Sequence, residues 1–133
     1  MFKNKRIIVV GVDMPSCAEL MFEIARQGVA ELLLLGRNQA RIDEVCQRAQ
    51  ALGVRATTRK CDFVNFTSFA LLAKELREEF GQFDFLINGT ENTWVELLPA
   101  QTKIRIQSEG AYAVAWVTEQ RPLNARKGLD LCV

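Results

Sequence analysis

The chain has 133 residues, of which 49% are hydrophobic and 25% are charged, and its formal net charge at pH 7 is +1. This length predicts a single domain, and this hydrophobic fraction is enough for a sizeable core. A nearly neutral chain without long blocks of one sign gives no support to a nucleic-acid or membrane-surface partner. Its apolar runs are far shorter than the ~20 residues that span a bilayer, and no signal-peptide pattern precedes them, so a cytoplasmic protein is expected.

The cysteines and the absence of histidine exclude several classes of site. The four cysteines are Cys17, Cys46, Cys61 and Cys132. None belongs to a C-x-x-C pair, so neither a metal site nor a disulfide framework is predicted. Without histidine, no Ser-His or Cys-His hydrolase mechanism is available. Each cysteine falls on a predicted apolar face or strand, which favours reduced thiols packed in a core.

A buried strand followed by an unusual turn opens the chain. The apolar run Arg6–Val10 ends at Gly11. A dinucleotide-binding turn would carry further glycines at positions 15 and 17, which let the backbone approach a pyrophosphate and let the helix lie close to the strand. This chain has Pro15 and Cys17 there, and Pro15 also removes a backbone donor. Asp13 adds a negative charge where an anion would bind. The pattern predicts a dinucleotide-type scaffold that has lost its phosphate site.

Strands and helices alternate up to about residue 88. The predicted strands are Arg6–Val10, Glu31–Leu35, Val54–Cys61 and Phe83–Asn88. Apolar positions at helical spacing predict a helix in each interval. The predicted helix starts are Ser16 with Glu19 as a capping box, Asn38, and Asn65 or Thr67, and the predicted ends are Gly28, Gly53 and Gly81. Right-handed crossovers place strand 1 centrally, with strands 2 and 3 on one side and strand 4 on the other.

The whole chain, residues 1–133, is therefore expected to form one α/β domain, a three-layer, Rossmann-like, doubly wound parallel sheet. Residues 1–90 carry the clear βαβαβαβ pattern, and residues 91–133 are a divergent remainder. For that remainder we expect a short helix or irregular segment at Thr93–Leu98, a half-exposed strand at Thr102–Gln107, a helix at Ala111–Gln120 and a last strand at Leu129–Val133.

Residues 5–90 resemble the amino-terminal half of the short-chain dehydrogenase/reductase family. The stretch 34–38, Leu-Leu-Gly-Arg-Asn, is similar to the end of strand 2 in NADP-preferring members. Cys-Asp-Phe at 61–63 is similar to the end of strand 3, and 80–88 resembles the approach to strand 4 and its Asn-rich turn. The resemblance implies cofactor-binding roles for Gly11 at the phosphate turn, Arg37 at a 2′-phosphate, Asp62 at the adenine and Asn88 at the strand-4 turn.

Residues 110–116 are similar to the family's Tyr-x-x-x-Lys helix, which makes Tyr112 the candidate catalytic residue. This alignment implies that residues 91–110 have lost most of a helix and a strand, so that the sheet is truncated. It also puts Trp116 in place of the lysine and the Glu91 carboxylate in place of a small residue beside the nicotinamide. Without a nearby cation, a tyrosine hydroxyl of pKa ~10 is a poor general acid or base at neutral pH.

Two functions remain open at this point. One is a catalytically inactive scaffold that needs no cofactor and acts as a regulatory, inhibitor or immunity-type module, through a protein partner or through self-association at an exposed sheet edge. The alternative is an NADP-dependent oxidoreductase with a variant active site, which Arg37, Asp62, Asn88 and Tyr112 favour. Structural roles compete with the cofactor roles, because Asp62 can cap the following turn and Asn88 can bridge backbone groups at a strand end.

Overall fold

The computed structural model describes residues 2–90, 92–109 and 112–117, with side chains up to Ile106. One six-stranded sheet organises these residues, in the order β3-β2-β1-β4-β5-β6. The strands are β1 Arg6–Val10, β2 Glu31–Gly36, β3 Ala56–Lys60, β4 Phe83–Asn88, β5 Ala100–Glu109 and β6 Tyr112–Val117. The helices are α1 Pro15–Ala25, α2 Gln39–Ala51 and α3 Phe66–Phe80, and a 3-10 helix, Thr93–Leu97, precedes β5.

The predicted arrangement of the first four strands is confirmed. β1 pairs with β2 on one side and with β4 on the other, β3 lies outside β2, and all of these pairings are parallel. β5 continues the parallel sheet beyond β4. The result is a doubly wound, Rossmann-like sheet of five parallel strands, to which the antiparallel β6 is added beside β5.

Helices cover both faces of the sheet, which explains the uninterrupted apolar runs of β1 and β2. One apolar layer contains alternate residues of both strands together with α1 and α2: Ile7, Val9, Leu32, Leu34, Leu20, Met21, Ile42 and Val45. The other layer contains the remaining strand residues together with α3: Ile8, Val10, Leu33, Leu35, Phe69, Ala73 and Leu76. Because successive strand residues point to opposite faces, a strand buried on both sides must be apolar throughout.

The asparagine caps predicted for α2 and α3 are confirmed. The Asn38 side chain accepts a hydrogen bond from the Arg41 backbone nitrogen at 3.2 Å. The Asn65 side chain accepts one from the Ser68 backbone nitrogen at 3.1 Å. Each cap satisfies a backbone donor that has no partner inside the helix. Gly53 follows the end of α2 and Gly81 ends α3, as predicted.

The capping box predicted for α1 is wrong. The helix begins at Pro15, its N-cap is Met14, and no side chain caps it. Ser16 therefore lies inside the first turn. The proline ring holds φ near the helical value, and its missing N–H has no helical partner to lose at this position, so the N-cap is Met14, two residues before the predicted Ser16.

The helix predicted at Ala111–Gln120 is also wrong over its described part, because residues 112–117 form β6. This strand pairs antiparallel with β5, with Ala115 opposite Ile106 and Val114 opposite Gln107. β-branched and aromatic residues fit a strand well, and pairing with β5 satisfies the backbone groups that a helix would have satisfied internally. The strand predicted at Leu129–Val133 lies outside the described residues.

The strand predicted at Thr102–Gln107 is present and longer, as β5. In the described part of the preceding interval, the chain forms only the 3-10 helix and no full crossover helix. Arg105 of β5 lies half-buried on the side of this short helix and donates to Glu96 at 2.6 Å. Because the charge of Arg105 is already paired with Glu96, this face of β5 does not need an apolar helix to cover it.

Candidate functional site

The four predicted cofactor residues meet at one edge of the sheet. Gly11 directly follows β1, Arg37 directly follows β2, Asp62 lies just beyond β3, and Asn88 ends β4. Val10 is in register with Asn88 in the parallel sheet, so β1 and β4 end at the same level. In open α/β sheets, ligands bind outside the carboxyl ends of the strands, where the strand order reverses. Here that reversal lies between β1 and β4.

The turn after β1 requires glycine at position 11. Gly11 has a φ of +94°, a backbone conformation that other residues adopt only with strain. A Cβ atom at this position would lie 3.2 Å from the Met14 Cε and 3.2 Å from the Thr90 Cγ2. The Gly11 nitrogen donates to the Leu35 carbonyl oxygen at 2.8 Å. The tight turn of a dinucleotide-binding scaffold is therefore kept.

Cys17 occupies the space where a third glycine would let the helix approach the strand. Its Sγ lies 3.6 Å from the Val10 carbonyl oxygen. A Cβ atom added to Gly89 would lie only 2.6 Å from that Sγ, so the thiol fits because position 89 has no side chain. Burial, with a smaller contribution from the Asp13 charge, raises the pKa of Cys17 to about 12. The thiol is protonated at neutral pH and is not a nucleophile.

Asp13 reaches from the turn after β1 to the turn after β2. Its Oδ2 accepts hydrogen bonds from the backbone nitrogens of Arg37 at 3.1 Å and Asn38 at 3.2 Å. A Cβ atom at Gly36 would lie 2.8 Å from the Asp13 Oδ1, so the carboxylate rests against the end of β2. Dinucleotide folds bind the adenosine ribose, or its 2′-phosphate, at this strand end. Here the protein's own carboxylate occupies those backbone donors.

The start of α1 has fewer anion-binding groups than a glycine-rich turn would provide. Pro15 stands at the first helical position and has no N–H. The Met14 nitrogen is already bound to the Gly11 carbonyl oxygen at 3.0 Å. An anion at a helix N-terminus depends on free backbone N–H groups, so this turn is weakened as a pyrophosphate site.

Asn88 is buried and all the bonds that the structure describes for it are internal. Its Nδ2 donates to the Asn92 carbonyl oxygen at 3.1 Å, and its Oδ1 accepts from the Thr90 nitrogen at 2.9 Å and hydroxyl at 2.7 Å. The Asn92 side chain in turn donates to the Phe63 carbonyl oxygen at 2.8 Å, which ties the turn after β4 to the turn after β3. The Asn88 amide thus bridges backbone groups at the strand end.

Asp62 organises a turn and does not cap the helix that follows. Its Oδ1 accepts from the Val64 nitrogen at 2.8 Å, two residues on. Asn65, and not Asp62, caps α3. The Asp62 side chain remains exposed at the strand end.

The candidate catalytic residue lies away from these four positions in the sheet. Tyr112 begins β6, in register with Glu109 at the end of β5, and β5 separates β6 from β4. Trp116 belongs to the same strand. Glu91 lies outside the described residues, so its predicted position beside a nicotinamide stays a prediction.

Sequence reasoning missed two contacts of this site. It treated Asp13 only as a repulsive charge, and it did not anticipate that Gly89 makes room for Cys17. A glycine directly after Asn88 was the only local signal for the second contact. No local signal pointed to the first, because Asp13 and its two partners belong to different βα turns.

The described cysteines are buried and free, which confirms their predicted packing: Cys17, Cys46 and Cys61. Burial, with a smaller contribution from a neighbouring aspartate in each case, raises the pKa of Cys46 and raises that of Cys61 to about 12. Among the residues that the structure covers, no group of three or more acidic or cysteine side chains could hold a metal ion. Within the same ranges, no helix has the length and apolarity to cross a bilayer. Cys132 lies outside them.

Comparison with known proteins identifies the family. A model of the short chain dehydrogenases matches residues 5–109, which run from the start of β1 to the end of β5. NAD⁺-bound xylitol dehydrogenase superposes with a TM-score of 0.58 at 22% identity, over 65% of this chain and 33% of that chain. A putative short chain dehydrogenase from Pseudomonas syringae superposes with a TM-score of 0.59 at 25% identity, over 67% and 37%.

A third solved structure, a putative dehydrogenase from Burkholderia cenocepacia with bound NADP, has a TM-score of 0.58 at 20% identity, over 66% and 34%. The chain thus spans about a third of the length of these structures, between 33% and 37%. No curated protein sequence matches it significantly. The match from β1 to β5 covers most of the chain and rests on the same parallel sheet, and we conclude that the chain belongs to the short chain dehydrogenase family.

Proposed function

We propose that this chain is a non-catalytic member of the family, which binds no dinucleotide and uses its α/β core as a protein-binding scaffold. One observation carries the proposal. The Asp13 carboxylate is bound to the backbone nitrogens of Arg37 and Asn38, at the strand end where a dinucleotide would place its ribose.

An incoming dinucleotide would have to displace this carboxylate. The displaced group would give up its two hydrogen bonds to these backbone nitrogens. A 2′-phosphate beside Arg37 would in addition meet the negative charge of Asp13, and like charges at close range repel. NADP is therefore disfavoured at this strand end even though an arginine stands there.

Two further changes act independently of Asp13. Pro15 withholds a donor at the start of α1, and Cys17 fills the space next to Gly89. Both lie where the pyrophosphate would approach the backbone. Three changes at one turn support a scaffold that works without the cofactor.

An exposed apolar surface supports the protein-binding part of the proposal. Phe66 at the start of α3 and the partly buried Trp94 of the 3-10 helix form the Phe66–Trp94 patch, and the exposed Val64 and Leu97 lie two residues before Phe66 and three residues after Trp94 in the chain. The exposed fractions are 76% for Val64, 48% for Phe66 and 47% for Leu97. The rings of Phe66 and Trp94 meet edge to face at 5.0 Å. Aromatic-rich apolar patches of this kind suit protein interfaces of regulatory, inhibitor or immunity-type modules.

A working NADP-dependent oxidoreductase is the second candidate. It is favoured by Arg37, which directly follows Gly36 at the end of β2 and so stands where a 2′-phosphate-binding arginine is expected. The two candidates differ in one measurable property, which is affinity for the nucleotide.

A ligand titration tests the proposal. We expect NADPH and NADH at millimolar concentration to leave the melting temperature and the tryptophan fluorescence of the protein unchanged. A dissociation constant of about 10 μM would add roughly 2.7 kcal/mol of stability at millimolar ligand, which thermal unfolding detects easily. Such a shift with NADPH would overturn the proposal in favour of the oxidoreductase.

A variant tests whether the turn after β1 is what prevents nucleotide binding. The triple change Asp13→Ser, Pro15→Gly and Cys17→Gly restores a glycine-rich turn and is expected to gain measurable binding of a dinucleotide. The matched control is Glu44→Ser, which removes an exposed carboxylate from α2 and should gain none. If the control gains as much as the triple variant, net charge and not the turn governs binding.

Co-purification tests the protein-binding part. Partners recovered with the tagged wild-type protein should be lost with Phe66→Asp, which places a charge in the Phe66–Trp94 patch. The control is Leu71→Asp, at an exposed leucine of α3 that does not belong to the patch. Equal recovery with both variants would remove the patch from the proposal.

A further inference from the structure

We propose that the Asn88–Gly89 pair at the end of β4 is a latent modification site, where the asparagine side chain deamidates once the turn after β4 opens. The fold keeps this reaction slow, and the modified chain cannot rebuild the turn. This inference goes beyond the scaffold function proposed above and holds whether or not a partner binds.

A single asparagine of the chain is followed by glycine. The residues that follow the other five asparagines are Lys5, Gln39, Phe66, Thr93 and Ala125. A side chain on the following residue hinders the approach of its backbone nitrogen to the asparagine amide carbon, and glycine has no such side chain. In an unfolded chain, Asn88 is therefore the asparagine that deamidates fastest.

The reaction needs no reagent other than water. The Gly89 nitrogen loses its proton and bonds to the Asn88 Cγ, the bond from Cγ to Nδ2 breaks, and Nδ2 leaves as ammonia. Water then opens the cyclic imide at either of its two carbonyl carbons. Attack at Cγ gives aspartate, whereas attack at the backbone carbonyl carbon gives isoaspartate, in which the main chain runs through the former side chain.

The folded chain holds the backbone of both residues away from this reaction. Asn88 is in register with Val10 of β1 and with Arg105 of β5, so it lies extended between two strands. The Gly89 nitrogen, which must attack, donates to the Val10 carbonyl oxygen at 2.9 Å. Closing the ring requires the Asn88 backbone to leave its extended conformation and the Gly89 N–H to lose its acceptor, which is costly in a buried position.

The Asn88 side chain is held as well. It is only 2% exposed. Its Nδ2 donates to the Asn92 carbonyl oxygen at 3.1 Å, and its Oδ1 accepts from the Thr90 nitrogen at 2.9 Å and from the Thr90 hydroxyl at 2.7 Å. The amide carbon cannot rotate towards the Gly89 nitrogen without breaking these bonds.

Neither product restores the contacts of the asparagine. In the aspartate form, an oxygen replaces Nδ2 and faces the Asn92 carbonyl oxygen, so two acceptors meet without a donor at a buried position. In the isoaspartate form, the main chain is longer by one carbon, and the Gly89 nitrogen no longer reaches Val10 in register.

The loss extends to the neighbouring surface through Asn92. The Asn92 side chain donates to the Phe63 carbonyl oxygen at 2.8 Å and accepts from the Trp94 nitrogen at 2.8 Å. Trp94 in turn contacts the Phe66 ring edge to face. Deamidation at Asn88 thus releases the residue that positions the Phe66–Trp94 patch.

Peptide mass spectrometry after incubation in mildly alkaline buffer measures the conversion of each asparagine. We expect Asn88 to convert in the urea-unfolded protein, and to convert about a hundredfold or more slowly in the folded protein, because the unfolded fraction of a folded protein is only about 10⁻³–10⁻⁶. Asn38 and Asn65 are internal controls, and both should convert far more slowly than Asn88 in urea.

A matched pair of variants locates the protection. Thr90→Val keeps the shape of the side chain but removes the hydroxyl that donates to Asn88 and accepts from the Asn92 nitrogen at 3.2 Å. We expect the conversion of the folded protein to become about fivefold faster or more, with the rate in urea unchanged. The control Thr58→Val, on β3, should convert like the wild type.

The product is tested on its own. Deamidated protein returned from urea to native buffer should unfold at a lower urea concentration than unmodified protein.

Each other outcome overturns the proposal. An intact Asn88 in urea excludes the site, and equal rates in the folded and unfolded protein exclude the protection. A Thr90→Val protein that converts no faster than Thr58→Val excludes the turn as the protecting element. A product with the urea midpoint of the unmodified protein excludes the effect on the turn. Because none of these measurements involves a nucleotide or a partner, the scaffold function is tested separately.

Discussion

At the scale of single residues, the turn after β1 shows how one change makes room for another. Cys17 replaces a small residue beside the strand, and Gly89 supplies the missing space, since a Cβ atom there would lie 2.6 Å from the thiol sulfur. The thiol is buried and held against the Val10 carbonyl oxygen. In a close-packed contact of this kind, an added atom forces the neighbouring atoms to shift, which lowers stability.

We expect Gly89→Ala to lower the free energy of unfolding by about 1–3 kcal/mol, because the new methyl group overpacks the contact with Cys17. The double variant Gly89→Ala, Cys17→Gly should recover part of this loss, and the Val10 carbonyl oxygen at 3.0 Å from the new Cβ limits the recovery. Urea unfolding of the four proteins in a double-mutant cycle measures the coupling. Strictly additive effects would show that the two positions do not meet.

The raised pKa of Cys17 predicts a loss of stability in alkaline solution. The folded thiol keeps its proton up to about pH 12, whereas the unfolded thiol ionises near pH 9.0. The contribution is therefore fully present below pH 9.0 and is lost as the pH rises from there towards 12, by about 1.4 kcal/mol for each pH unit. Cys17→Ala should show a shallower decline in urea unfolding over this range. Parallel declines would mean that Cys17 ionises equally in both states.

At the scale of elements, the three helices start in two different ways. α2 and α3 begin with asparagine caps, whereas α1 begins with Pro15 behind an uncapped Met14. The caps are readable from the sequence because they act within four residues. The proline start is also local, but it competed with a serine at the next position, and the fixed φ of proline prevailed.

Two cap substitutions, one in α2 and one in α1, should change the free energy of unfolding in opposite directions. Asn38→Ala removes the bond to the Arg41 nitrogen and is expected to lower the free energy of unfolding by about 1 kcal/mol. Met14→Ser adds a cap to α1 and should raise it by roughly 0.5 kcal/mol or more, since Met14 is exposed. Chemical denaturation of both variants provides the comparison. If Met14→Ser is less stable than the wild type, the packing of the Met14 side chain over Gly11 contributes more than a serine cap does.

β6 shows where local patterns fail. The run from Tyr112 to Val117 has residues that suit a strand, but its spacing also fits a helical face, which led to the wrong prediction. The pairing of Ala115 with Ile106 and of Val114 with Gln107 decides between them. A segment this short takes the structure that satisfies its backbone, and the partner strand is a tertiary feature.

At the scale of the whole molecule, the described sheet is most deeply buried at its centre. The apolar residues of β1 and β2 are fully buried between two helical layers. Among the described strands, β6 is the last on this side of the sheet, separated from β1 by β4 and β5. Local opening is easiest where few buried contacts must break.

Hydrogen exchange followed by mass spectrometry should reflect this gradient. We expect amides of β1 and β2 to exchange only through global unfolding, and those of β6 to exchange faster. Exchange of β1 as fast as that of β6 would contradict the described core.

The sequence by itself determined the alternation of strands and helices up to β4, the order of the first four strands, the asparagine caps and the burial of Cys17, Cys46 and Cys61. These follow from periodicities and from contacts a few residues long. Only the tertiary structure decided that Asp13 binds backbone donors 24 and 25 residues away, that Gly89 accommodates Cys17, and that residues 112–117 extend the sheet. Such contacts depend on which strand ends the folded sheet brings together, and no local pattern of residues carries that information.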